Sequence, residues 1–139
     1  MGLTSYLGDK SALARLHLEA VRAELAPLID RGLVHVCAPT ELELLTSARN
    51  VDDYEHIRNT LLPGFSWVPM GEQVWQRCLE VHHALAQRGQ HRCASIPDLL
   101  LAATAEARDL TLLHYDHDFD TIAEVTGQPT QWVVPPGTV

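Results

Sequence analysis

Short β-rich runs and longer helical runs alternate along this chain of 139 residues almost without exception. That alternation constrains the fold more than any other feature, because it predicts a mostly parallel sheet with helices on both faces. Leu3 to Gly8 reads as a first strand. Ser11 to about Arg31 reads as a helix, with Leu13, Leu16, Ala20 and Leu25 as its apolar stripe and Pro27 and Gly32 at an irregular end. Leu33 to Ala38 is a second strand. Pro39 to about Asn50 and Val51 to Leu62 are helical, the latter stopped by Pro63-Gly64. Phe65 to Val68 is a third strand, Gly71 to Arg88 a helix closed by Gly89, and Pro97 to Arg108 a strongly apolar helix. Leu110 to His114, Phe119 to Val125 and Gln131 to Val134 read as strand, short helix and strand. In such sheets ligands sit beyond the carboxyl ends of the strands, where the strand order reverses.

The length suits one domain, residues 1–139, since domains commonly run ~100–150 residues. An apolar fraction of 46% excludes wholesale disorder. No window holds ~18 uninterrupted apolar residues, so no membrane span is expected. The opening Met1-Gly2-Leu3-Thr4-Ser5-Tyr6 has no basic n-region, and Tyr6 stands where a myristoylation motif wants Ser or Thr. A soluble, cytoplasmic protein is expected. Three cysteines (Cys37, Cys78, Cys93) are too few for a disulfide scaffold and read as reduced core thiols in a reducing compartment. Two zinc readings, Cys78 with His82 and the run His91-Arg92-Cys93, lack a second ligand pair. The net charge of −8 argues against non-specific nucleic-acid binding. It does not exclude a nuclease, because acids gathered at a metal inflate the count. Nine of the ten basic residues are Arg, and only Lys10 is Lys.

The acids fall at strand-to-helix transitions. Asp9 follows the first strand, Glu41 and Glu43 open the helix after the second, and Asp116 and Asp118 follow the fourth. Asp98 lies in the first turn of the Pro97 helix. Carboxylates about 5 Å apart repel by about 3 kcal/mol per pair at an effective dielectric of about 20. Such a cluster needs a cation or protonation, and oxygen-only ligands point to Mg²⁺ or Mn²⁺. Each acid also has a local reading. Asp98 complements a helix dipole, Thr40-Glu41-Leu42-Glu43 fits a capping box with Thr40 as N-cap, Asp118 can cap the Phe119 helix, and Ser11 is a competent N-cap. The functional case rests on joint placement, since separate caps have no reason to converge.

Other signatures are missing. Asp116 to Asp120 opens like a calcium loop, but its sixth place is Thr121 and its twelfth Gly127. No Lys follows Lys10, which removes a receiver domain. There is no phosphate-binding Gly-x-x-x-x-Gly-Lys loop, no Gly-x-Gly-x-x-Gly and no Gly-x-Ser-x-Gly. His82-His83 reads as solvated or dimer-facing, and Trp75 fits either an interface or the core.

Four blocks carry a family resemblance. Tyr6-Leu7-Gly8-Asp9-Lys10-Ser11-Ala12-Leu13 resembles the opening of PIN-domain proteins, particularly the VapC toxins of bacterial toxin–antitoxin pairs. Pro39-Thr40-Glu41-Leu42-Glu43-Leu44-Leu45 looks like the segment with the family's second acid. His91-Arg92 through Ile96-Pro97-Asp98-Leu99-Leu100-Leu101-Ala102-Ala103 matches the third block, and Leu112-Leu113-His114-Tyr115-Asp116-His117-Asp118-Phe119 the fourth. The blocks span the chain in the family's order.

The resemblance implies a three-layer α/β sandwich around a mostly parallel sheet. It implies an acidic set of Asp9, Glu43, Asp98 and Asp116, with metal ligands drawn from Asp9, Asp98, Asp116 and Asp118. Glu43 is preferred to Glu41 because the family acid precedes a Leu-Leu-like pair, and residues two apart on a helix face differently. Ser11 would hydrogen-bond and orient the carboxylates. Gly8 departs from the apolar residue common there, implying a looser strand end. The implied activity is Mg²⁺- or Mn²⁺-dependent endoribonuclease cleavage of structured RNA, tRNA or rRNA, by metal-activated water, with no protein general base. Lys10, Arg15 and Arg92 are the candidate phosphate contacts, Arg92 equally a partner for a neighbouring acid. A homodimer held inactive by a cognate antitoxin is implied as well. The competing expectations are a catalytically silent interaction module and a metal-dependent phosphatase or small-nucleotide hydrolase.

Overall fold

Five strands form one sheet in the order β3-β2-β1-β4-β5, and every neighbouring pair is parallel. The computed structural model describes residues 3–139; Met1 and Gly2, on which the reading of the opening segment partly rests, lie outside the described residues. The strands are β1 (Tyr6–Gly8), β2 (Val34–Val36), β3 (Ser66–Trp67), β4 (Thr111–His114) and β5 (Thr130–Trp132). The helices are α1 (Lys10–Leu13), α2 (Glu19–Asp30), α3 (Ala38–Thr46), α4 (Val51–His56), α5 (Gln73–Gln87), α6 (Ile96–Ala107) and α7 (His117–Thr126).

Alternation along the central strands gives the sheet two apolar faces. Leu7 and Leu112 pack with Leu85, Leu101, Phe119 and Ile122 from α5, α6 and α7. Leu113, one residue on, packs with Val34, Val36, Leu13, Leu25 and Leu44 on the other face. Helices therefore cover both sides, which makes the three layers. No helix among the described residues is long and apolar enough to cross a membrane.

The predicted elements all form, with three local differences. The helix expected over Ser11–Arg31 is two helices. The Arg15 guanidinium donates to the Ser11 carbonyl at 2.6 Å, and the Arg15 N–H turns instead to the Ala12 carbonyl at 3.1 Å. That i→i−3 tightening ends α1, and α2 starts afresh at Glu19. The helix expected to Leu62 stops at His56 and continues as a π turn over Ile57–Leu61 and a 3₁₀ turn over Leu62–Gly64. The capping box expected at Thr40 does not form. Cys37 is the N-cap of α3, and the fully buried Thr40 hydroxyl donates to the Gly8 carbonyl at 2.9 Å.

Gly8 is a correction of a different kind. A Cβ at this position would stand 2.9 Å from Leu13 Cδ1, itself buried. The missing side chain lets α1 fold tightly against the end of β1, so the strand end is packed and not loosened.

Candidate metal centre

The carboxyl ends of β1 and β4, neighbours at the middle of the sheet, deliver the acids. Asp9 ends β1 as the N-cap of α1. Its Oδ2 accepts the Ser11 N–H at 2.9 Å, its own N–H donates to the Leu113 carbonyl at 2.9 Å, and it is only 5% exposed. Asp116 leaves β4 as the N-cap of α7, and its Oδ1 accepts the Asp118 N–H at 2.9 Å. Asp98 comes from α6, where Ser95 is the N-cap and Asp98 the reciprocal member of a capping box, with distances of 3.2 and 3.3 Å. The local reading of Asp98 is thus realised together with the convergent one.

Oxygens of Asp98, Asp116 and Asp118 lie within 4.8 Å of one another, the only such group of three metal-ligating side chains among the described residues. Asp9 and Glu43 stand outside that trio; Asp9 acts on Asp98, and Glu43 is coupled to Asp9. Burial, then the charges of Asp9 and Asp116, push the Asp98 carboxyl up to about 6 against the pull of its Ser95 bonds. Burial and the Asp9 charge raise Glu43, with Lys10 opposing. Burial and Asp116 raise Asp118, with His117 opposing. All five acids are linked in one chain of mutual repulsion. Burial lifts the Cys37 thiol to about 11, with the charges of Glu41 and Asp9 adding to the rise against hydrogen bonds from Thr40. Only oxygen donors converge here, the ligand set of a hard divalent cation, and the raised carboxyls are those a cation would relieve. Neither zinc reading gathers three ligands; Cys37 and Cys78 are core thiols as expected, whereas Cys93 is exposed in the turn before α6 and is not.

The remaining candidates divide. The Ser11 hydroxyl accepts the Tyr115 N–H at 2.8 Å and does not bond a carboxylate; only its backbone N–H reaches Asp9. It therefore pins the turn ahead of Asp116 to α1. Lys10 is exposed and close enough to Glu43 to lower it. Arg15 is tied to the Ser11 carbonyl and lies 4.5 Å from the centre of the Tyr115 ring. Arg92 is exposed and makes no ion pair among the described residues, so the pairing with a neighbouring acid does not form.

One supporting residue went unread in the sequence. His114, fully buried at the end of β4, accepts the Asp116 N–H on Nδ1 at 3.2 Å. That role places the ring proton on Nε2, which has no hydrogen-bond partner among the described residues. Burial lowers its pKa against the pull of Asp120, Asp9 and Asp116, keeping it neutral. Phe119 and Trp132 enclose the ring, each with centroids 5.1 Å away. A histidine inside an apolar strand two residues before an acid was the available signal.

The PIN domain family model matches residues 6–125. The chain belongs to the PIN domain family. Within it, this PIN domain is 45% identical to Ribonuclease VapC21 of Mycobacterium tuberculosis over 135 residues, covering 97% of this chain and 98% of that protein. It is 43% identical to Ribonuclease VapC51 of the same organism over 134 residues, 96% of each. Among solved structures it resembles the DNA-bound VapBC of Salmonella typhimurium with a TM-score of 0.77, covering 95% of this chain and 100% of that one. The FitAcB structure from Neisseria gonorrhoeae follows at 0.72, covering 90% and 95%. Identities of 13% and 22% make these two likenesses of fold alone.

Proposed function

We propose that this chain, a single PIN domain over residues 1–139, is the toxin of a toxin–antitoxin pair and acts as a metal-dependent endoribonuclease. The carrying observation is the oxygen-only trio of Asp98, Asp116 and Asp118 within 4.8 Å, with the Asp9 charge acting on Asp98 and on Glu43 beside it. Relatives of near-equal length named as ribonucleases support the activity. Asp98, Asp116 and Asp118 would hold Mg²⁺ or Mn²⁺ directly, with Asp9 completing the cage. When bound, such a cation lowers the pKa of a coordinated water and offsets charge on the phosphate oxygens. Asp9, kept in place by the Ser11 N–H, and Glu43 complete the negative lining that orients water toward the phosphate. No side chain stands out as a separate general base. Lys10 and Arg92, both exposed, are free to meet the RNA backbone.

An antitoxin partner and a homodimer belong to the same proposal. VapBC complexes share the fold. The α5–α6 side exposes Trp75, Leu79 and Ile96 (56, 65 and 69%) around a half-open cleft of about 270 Å³. Trp75 is therefore surface and not core, on an apolar patch of the kind partners cover. The proposed setting is the cytoplasm, where the RNA substrates are.

The test is cleavage of total tRNA and rRNA with Mn²⁺, with chelator, and by Asp9→Asn and Asp98→Asn. Cuts that need the metal and vanish in both variants are expected. Cleavage retained by both variants would overturn the site, and activity on a generic phosphodiester but never on RNA would assign the alternative class of metal-dependent phosphatase or small-nucleotide hydrolase instead.

A further inference from the structure

A second cleft, of about 360 Å³, opens beside the acid centre, lined by Tyr115, Asp116, His117, Trp132, Pro136 and Gly137. Asp116 is common to both, so whatever occupies the cleft ends at the proposed metal ligands. Three of its six lining residues are aromatic, and two of them, Trp132 and Tyr115, are tethered. The Trp132 indole N–H donates to the Asp120 carboxylate, 3.3 Å from either oxygen, and the same carboxylate lies 3.4 Å from His117 Nδ1. The Tyr115 hydroxyl accepts N–H groups of Gly137 at 2.8 Å and Val139 at 3.3 Å and donates to the Val139 carbonyl at 3.1 Å. The rings pack edge to face, Tyr115 and His117 meeting Trp132 at 5.3 and 4.8 Å.

Rings held in this way lose little freedom when a flat ligand stacks on them. The volume is at the small end for ligand sites, room for one flat ring system and its sugar and too little for a helix. A chain of net charge −8 also cannot rely on a positive field to keep RNA against five carboxylates. Stacking supplies affinity without one, and every base has a π face. We propose that this cleft receives one unpaired nucleobase adjacent to the phosphate cut at the acid centre. This rests on the ribonuclease reading and deepens it by assigning Tyr115, His117 and Trp132 to the base beside the cut.

The experiment uses the full chain and a short single-stranded RNA that it cuts with Mn²⁺, beside the same strand carrying abasic residues at the two positions flanking the cut. For the wild type, KM is expected to rise about 10-fold on the abasic strand with kcat little changed. His117→Ala, at a side chain 79% exposed and outside the core, should raise KM about 5-fold on the intact strand only, and His117→Phe should restore it. Equal KM on both strands for the wild type overturns the proposal, as does a His117→Ala effect of the same size on both. If the wild type cuts no RNA, the ribonuclease reading fails separately. Binding then decides the cleft: in a Trp67→Phe, Trp75→Phe background, the fluorescence of Trp132 should be quenched by the intact strand and not by the abasic one. Quenching by neither strand, or by an antitoxin peptide alone, overturns it.

Discussion

Asp98→Asn should make the metal-free protein more stable while removing its response to metal. Unit charges 4.8 Å apart at an effective dielectric of about 20 repel by about 3 kcal/mol. Asp98 faces two such neighbours at once, and its carboxyl is pushed up to about 6 as a result of burial and of Asp9 and Asp116. Partial solvent screening reduces the net gain from neutralising it to about 1–2 kcal/mol. Asn keeps an oxygen for the Ser95 N–H, so the helix cap survives. For a chain of this size the gain corresponds to a melting temperature higher by roughly 3–6 °C at pH 7 in chelator. The pH dependence has a definite sign. The folded pKa lies above the ordinary value of 3.8, so the folded state takes up the proton first. Wild-type stability from this group therefore grows as pH falls through about 6 and is lost as pH rises through it. The gap between variant and wild type should narrow at pH 5. Saturating Mn²⁺, at about 100 times its dissociation constant, should stabilise the wild type by about 2.7 kcal/mol, and Asp98→Asn by far less. Scanning calorimetry in chelator and in Mn²⁺, at pH 7 and pH 5, reads all of this. A variant that melts below the wild type in chelator at pH 7, or that gains as much from Mn²⁺, would refute the reasoning.

Three further outcomes are expected. His114→Leu removes the acceptor for the Asp116 N–H but also an unpartnered buried nitrogen; stability should change by less than about 1 kcal/mol while kcat falls about 10-fold, and His114→Asn, which keeps an acceptor at the δ position, should recover most of it. Gly8→Ala forces a methyl against Leu13 and should cost about 1–3 kcal/mol in urea unfolding, with a matching loss of Mn²⁺ affinity because Asp9 is the next residue. Thr40→Val leaves the Gly8 carbonyl without its buried donor and should cost about 1–3 kcal/mol in the same assay.

The layers, the strand positions and the approach of Asp98, Asp116 and Asp118 were legible because hydrophobic period and acid placement are both written locally. The Leu112-Leu113 pair in a β-rich run announces a strand buried on both faces, and Asp116 two residues beyond it announces its end. What the sequence hid were interactions that cross the chain. Thr40 looks like a cap because Glu43 follows three residues later, yet its hydroxyl serves a carbonyl thirty-two residues upstream. Ser11 looks like a ligand support, yet its hydroxyl receives an N–H more than a hundred residues away. The break after α1 depends on which donor reaches the Ser11 carbonyl, a competition that no periodicity reports. His114 was readable only as an oddity of composition until Asp116 was seen to lean on it.

The pairing of β1 with β4 has a consequence for how the molecule comes into being. Tyr6 lies beside Thr111, so the first strand made must wait for more than a hundred further residues before its central neighbour exists. Asp9 then has no Asp116 across from it, and the Ser11 hydroxyl has no Tyr115 amide to receive. The acid cluster is consequently among the last features of the fold to assemble, since two of its three converging carboxylates, Asp116 and Asp118, lie beyond β4.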